Sequence, residues 1–223
     1  MTILSSLLVK SISNKVGGTM QMQRDCVFYI YDGNIDWDYI DKPEDKYVSI
    51  SCSNKDEVIE GSIKWIDSIR IKEKIIATSK KQVHFSVYES RRVICIFGNS
   101  ESQLSYVVGS LMNTFRISLN KIKIFEFYKN YFIKNLTGNS FKLTSLDISK
   151  TLMDSYINVP ITEFKTKELK NIFTHYHISA LVITDTLNNM YFVIDSNSVV
   201  SFFETDELVG IKDICKRIVN ENV

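Results

Sequence analysis

The chain has 223 residues, 44% of them apolar, which is enough for a sizeable core in one large domain or two small ones. Lys+Arg 27 against Asp+Glu 26 leaves a net charge of +1, so bulk charge argues neither for nor against nucleic acid. No stretch reaches the length of a membrane span, and Cys26, Cys52, Cys95 and Cys215 lack any metal-ligand spacing; they read as buried free thiols of a reducing intracellular compartment.

In chain order, residues 1–25 read as a short helix or an arm, with Gly17-Gly18 as a link; nothing in them has the pattern of a secretory signal. Residues 26–31 (CVFYIY) predict a strand ended by Asp32-Gly33, and 47–52 (YVSISC) predict another. Asn54 reads as the cap of a helix to about residue 70, with Val58, Ile59, Ile63, Ile66 and Ile69 on one stripe. Three strands follow near 72–78, 82–88 and 91–97. Ser100-Glu101 then opens a helix through Phe115, with Leu104, Val107, Val108, Leu111, Met112 and Phe115 inward.

The order then recurs. Residues 131–136 predict a strand and 145–154 a helix; 156–164 is extended around Pro160, and 167–175 is helical. Three strands near 178–184, 190–195 and 198–203 lead to a closing helix over 206–219. Residues 74–115 and 180–219 therefore carry one pattern twice, at an offset of about half the chain. Both halves predict β-α-β-α-β-β-β-α, an α+β architecture with hairpin-rich antiparallel sheet. The strands are apolar on both parities, as in 93–97 (VICIF) and 28–31 (FYIY), so something must cover each face. Either the N-terminal arm or extra helices do so, or an apolar concave face is kept for a partner.

Strand–turn–strand–Gly–Ser/Thr–Glu–helix resembles the repeat of the TATA-box-binding protein (TBP) family. The first copy is VYESRRVICIFGNSES from Val87, and the second is VIDSNSVVSFFETDE from Val193. Upstream, FIKNLTG from Phe132 is similar to the strand that opens the family's second repeat, and ISALVI from Ile178 to a later strand. The resemblance covers about residues 26–219. It implies tandem pseudo-twofold TBP-like repeats, 26–117 and 118–223, forming one curved antiparallel sheet with helices on the convex side.

It further implies a transcription initiation factor that binds double-stranded promoter DNA in the minor groove through the concave sheet, with a TFIIB-like factor or an RNA polymerase subunit as partner. The implied nucleic-acid-binding residues are Asn135, Ile133, Tyr88, Phe85, Arg91, Arg92, Ile178 and Ile194. Asn135 would read acceptor atoms, and Tyr88, Ile178 and Ile194 would be apolar wedges. The competing readings are a protein-interaction scaffold that keeps the saddle without binding DNA by itself, and an unrelated ferredoxin-like tandem with a cleft between its halves.

The chain departs from the family's pattern at both turn glycines, and residues 102–115 carry no Lys or Arg. Charge also differs between the halves: residues 64–92 hold eight basic and three acidic residues, and 185–207 hold five acids and no base. Phosphate contacts supply most non-specific DNA affinity, so a half with acidic hairpins should bind DNA poorly by itself and reads as a solvated face or the site of a basic partner. His175 and His177 lack a completing metal ligand in sequence, the acids at 36–45 lack a calcium-loop spacing, and no nucleophile elbow or phosphate loop occurs. The sequence predicts neither an enzyme nor a cofactor.

Overall fold

A computed structural model describes residues 24–35, 48–55, 57–71, 74–134, 140–149, 156–161 and 166–222. Its strands are β1 (Asp25–Asp32), β2 (Val48–Lys55), β3 (Val58–Ile71), β4 (Lys74–Tyr88), β5 (Val93–Phe97), β6 (Ser118–Lys121), β7 (Phe141–Ser149), β8 (Tyr156–Pro160), β9 (Ile178–Asp185), β10 (Met190–Asp195) and β11 (Val200–Phe202). The helices are α1 (Glu101–Phe115), α2 (Ile124–Lys134), α3 (Thr166–His175) and α4 (Leu208–Asn222). All eleven strands join one antiparallel sheet in the order β2-β3-β4-β5-β1-β11-β10-β9-β7-β8, with β6 beside β1. The fold class is α+β.

Strand β1 is the seam. One edge pairs with β5, and the other edge is shared: Asp25 and Cys26 pair with β11, and Tyr29–Asp32 pair with β6. The two hairpin-rich halves thus meet at a strand from the first. The last elements of the two halves share one spacing. The end of β4 and of β10, the start of β5 and of β11, and the start of α1 and of α4 are each 107 residues apart (88 to 195, 93 to 200, 101 to 208). The inward stripes match at the same offset, Leu104, Val107, Val108 and Leu111 in α1 against Ile211, Ile214, Cys215 and Ile218 in α4.

The helices are not all on one side, which corrects the one-sided arrangement. Side chains alternate along β5: Val93, Cys95 and Phe97 belong to a core with α2, α3 and α4, whereas Ile94 and Ile96 belong to a core with α1. Strand β1 divides likewise, Cys26 and Phe28 to the first core and Tyr29 and Tyr31 to the second. The stacked rings of Trp65 on β3 and Tyr106 on α1, with centroids 4.5 Å apart, mark the α1 face. The Lys212–Glu60 ion pair (3.0 Å) marks the α4 face of the same strand. Apolar residues on both parities of the central strands are therefore there because helices bury both faces.

Four element assignments change. Residues 54–55 and 58–70 form the end of β2 and most of β3 instead of a helix, because Ile59, Ile63 and Trp65 also fit a period of two and all three are buried against α1. The strands predicted near 72–78 and 82–88 are, over residues 74–88, one continuous strand, β4, paired along its length with β3. Residues 131–136 begin as the last turn of α2, whose stripe Ile124, Phe125, Tyr128 and Phe132 is buried at helical spacing. Residues 145–149 belong to β7, where a bulge between Leu143 and Ser145 lets Leu143 and Leu146 face one core.

Candidate nucleic-acid interface

The described residues among the predicted contacts do not share one surface. Tyr88 (5% exposed), Ile178 (3%) and Ile194 (0%) lie in the core beneath α2–α4, and Phe85 (0%) lies in the core beneath α1, on the other face. Packed on all sides, they have no surface to wedge between base pairs. Ile133 is half-buried on α2 and packs against the same core. Asn135 lies outside the described residues.

Arg91 and Arg92 are exposed at the 3-10 turn Glu89–Arg91 between β4 and β5. Arg92 is held locally. Its guanidinium donates to the carbonyl of Gly33 (2.7 Å), lies 3.4 Å from Asp32 Oδ1 and stacks over the Tyr31 ring at 5.4 Å.

A different surface gathers basic and hydroxyl side chains. On β2, Val48, Ile50 and Cys52 pack towards α1, so Ser49, Ser51 and Ser53 point to the opposite face and are exposed. Register carries that face across the sheet: Ser51 stands opposite Ser62 and Ser62 opposite His84, and Ser49 opposite Lys64 and Lys64 opposite Gln82. The Ser51 and Ser62 hydroxyls are 3.0 Å apart. Lys80 follows on β4 at the same parity, exposed like Lys64.

Helix α4 borders this face. Lys212 pairs with Glu60 (3.0 Å) and Lys216 with Glu57 (3.1 Å), so the acids at the border are neutralised. Lys64 and Lys80 are in none of the ion pairs among the described residues. Burial lowers the pKa of His84, and Lys212 and Lys64 push the same way while Glu60 opposes them. Lys212 and Lys64 are thus each within electrostatic reach of His84. The arrangement suits an anion spread along an extended backbone, with hydroxyls to donate hydrogen bonds and lysines to supply charge.

The second half presents another kind of open face. Opposite α2–α4 it carries Val182, Thr184, Tyr191, Val193 and Ser201, all half-buried or exposed. Three cysteines also converge, which their separation in sequence hid: Cys26, Cys95 and Cys215 are wholly buried with their sulfurs all within 4.8 Å of one another. His175 and His177 join no such group among the described residues. No described helix is long and apolar enough to cross a membrane.

No protein-family model matches the chain, and no curated protein matches it.

Proposed function

We propose that this chain is a TBP-like transcription initiation factor that binds double-stranded promoter DNA through the open face of β2, β3 and β4, together with a TFIIB-like factor or an RNA polymerase subunit. The observation that carries the reading is the alignment of Lys64, Lys80, Gln82, His84, Ser49, Ser51 and Ser62 on one sheet face, bordered by Lys212 and Lys216. The repeated meander and helix, in register at 107 residues, supports the tandem-repeat part of the resemblance. With Tyr88, Ile178 and Ile194 in the core, the binding mode is contact with phosphates and sugars, without side-chain wedges.

The test is a mobility-shift titration on AT-rich duplex at rising salt. Wild type should bind at low salt, and Lys64→Glu with Lys80→Glu should weaken binding at every sequence and flatten the log–log salt slope by about 2, one per lost phosphate contact. Unchanged affinity in the double variant would sink this surface, and no binding by wild type at low salt would sink the DNA reading. In the latter case the second reading stands, a protein-interaction scaffold. The half-buried face around Tyr191 and Val193 favours it, as does the burial of the candidate wedges.

A further inference from the structure

We propose that Cys26, Cys95 and Cys215 form a three-sulfur site for a single copper(I) ion at the junction of the sheet and the C-terminal helix. Cys26 is on β1 and Cys95 on β5, diagonal neighbours on one face, since Cys26 stands opposite Phe97 and Phe28 opposite Cys95. Cys215 comes down onto them from α4, and its sulfur lies 3.9 Å from that of Cys26. All three sulfurs lie within 4.8 Å of one another, and a triangle with edges between 3.9 and 4.8 Å has its centre about 2.3–2.8 Å from each corner, close to the usual thiolate–metal distance of about 2.3 Å. The elements that hold the three residues are rigid, two central strands and a packed helix, so the donors are already gathered.

Coordination number selects the ion. Among the described residues no fourth His, Cys, Asp or Glu joins the group. All three cysteines have 0% exposure, which leaves solvent no route to a fourth position. Structural zinc is almost always four-coordinate and tetrahedral, while soft sulfur donors also select copper(I). Three-coordination is ordinary for that d10 ion.

Binding forms Cu–S bonds, releases to solvent the proton of any thiol that ionises, and changes no oxidation state. The ion would tie α4 to the seam strand β1, stabilising the contact between the two halves.

Cys52 is a built-in control. It packs with the α1 core, on the opposite face of the sheet. The experiment titrates copper(I), supplied as its acetonitrile complex without oxygen, into the reduced full-length chain against a chromophoric copper(I) chelator. Wild type and Cys52→Ala should each withdraw one ion per chain, gain a sulfur-to-copper charge-transfer band and unfold at a higher temperature when loaded. Cys95→Ala should do none of these while keeping its far-ultraviolet dichroism.

Failure of wild type to take the ion from the chelator overturns the proposal, whether or not Cys95→Ala folds. So does undiminished uptake by a folded Cys95→Ala, or displacement of the bound ion by equimolar zinc. The outcome is independent of the DNA titration, because the cysteines lie beneath α4 and the lysines on the open strands.

Discussion

At residue scale, Gly61 shows why a strand can hold a glycine in its middle. A Cβ there would fall within the ring of Phe85, which stands opposite it on β4 and is wholly buried. The ring occupies the volume that any other residue would need, so the position depends on close approach and not on backbone freedom. Gly61→Ala should cost about 1–3 kcal/mol through overpacking, read from the urea midpoint at unchanged slope. A neutral result would mean that Phe85 can move.

Asp185 is the other decisive residue. It is fully buried, accepts from the backbone N–H of Leu187 (3.0 Å) and from Asn188 Nδ2 (2.7 Å), and is held in a fork by both terminal nitrogens of Arg217. Arg217 also lies over the Phe141 ring at 4.8 Å and reaches Asp213 (3.1 Å). Asp185→Ala should therefore cost up to roughly 3 kcal/mol, because it leaves a partly buried guanidinium with only the half-exposed Asp213 carboxylate as ion-pair partner.

Burial alone would raise the Asp185 pKa, but the bonds from Arg217, Leu187 and Asn188 outweigh it and lower it from its ordinary 3.8. A depressed folded value means that the unfolded state takes the proton first. This stabilisation is fully present above about pH 3.8 and is lost as pH falls through the folded value. Unfolding curves from pH 5 to 2 should show that loss in wild type and a smaller one in Asp185→Ala; parallel curves would remove Asp185 from the acid response.

At the scale of elements, legibility followed whether a segment's apolar spacing fitted one period or two. In α1 the apolar positions fit only a helix, and Ser100 caps it by accepting from the Gln103 backbone N–H at 3.3 Å. Strands β9, β10 and β11 carried tight turns, and they fall where turn chemistry predicts. In β3, Val58, Ile59, Ile63, Ile66 and Ile69 satisfied a helical stripe, yet Ile59, Gly61, Ile63 and Trp65 were the alternation that mattered. Pairing with β2 on one edge and β4 on the other decided it. At the end of α2, residues 131–136 were predicted as a strand, while packing took Tyr128 and Phe132 at a spacing of four.

The candidate surface was half legible in the same way. The excess of basic residues over 64–92 was visible, but assigning Lys64 and Lys80 to one face required the register of β3 against β4. The wedge positions were matched by motif, and a motif carries no information on which face a helix will cover.

At the scale of the molecule, β1 makes the two halves one folding unit. It pairs with β5, β6 and β11, and its side chains enter both cores. Urea unfolding followed by tryptophan fluorescence, which reports only on Trp37 and Trp65 in the first half, should coincide with unfolding followed by far-ultraviolet dichroism. Two separated transitions would show that the halves fold independently.

A recurring strand–turn–strand–helix spacing was legible in the sequence, because apolar runs, turns and helix stripes are local patterns; the β-α-β-α-β-β-β-α order predicted for both halves was not, since the described residues before α1 form five strands and no α-helix. The α+β class followed from those same patterns. Which face each helix covers was not legible. The link from β5 to α1 spans residues 98–100, that from β11 to α4 spans 203–207, and the two helices pack on opposite faces. Tertiary structure alone decided that both faces of the central strands are core, that Lys64 and Lys80 share one open face with serine hydroxyls, and that three distant cysteines meet. Each of these depends on contacts between residues far apart in the chain, which no local period encodes.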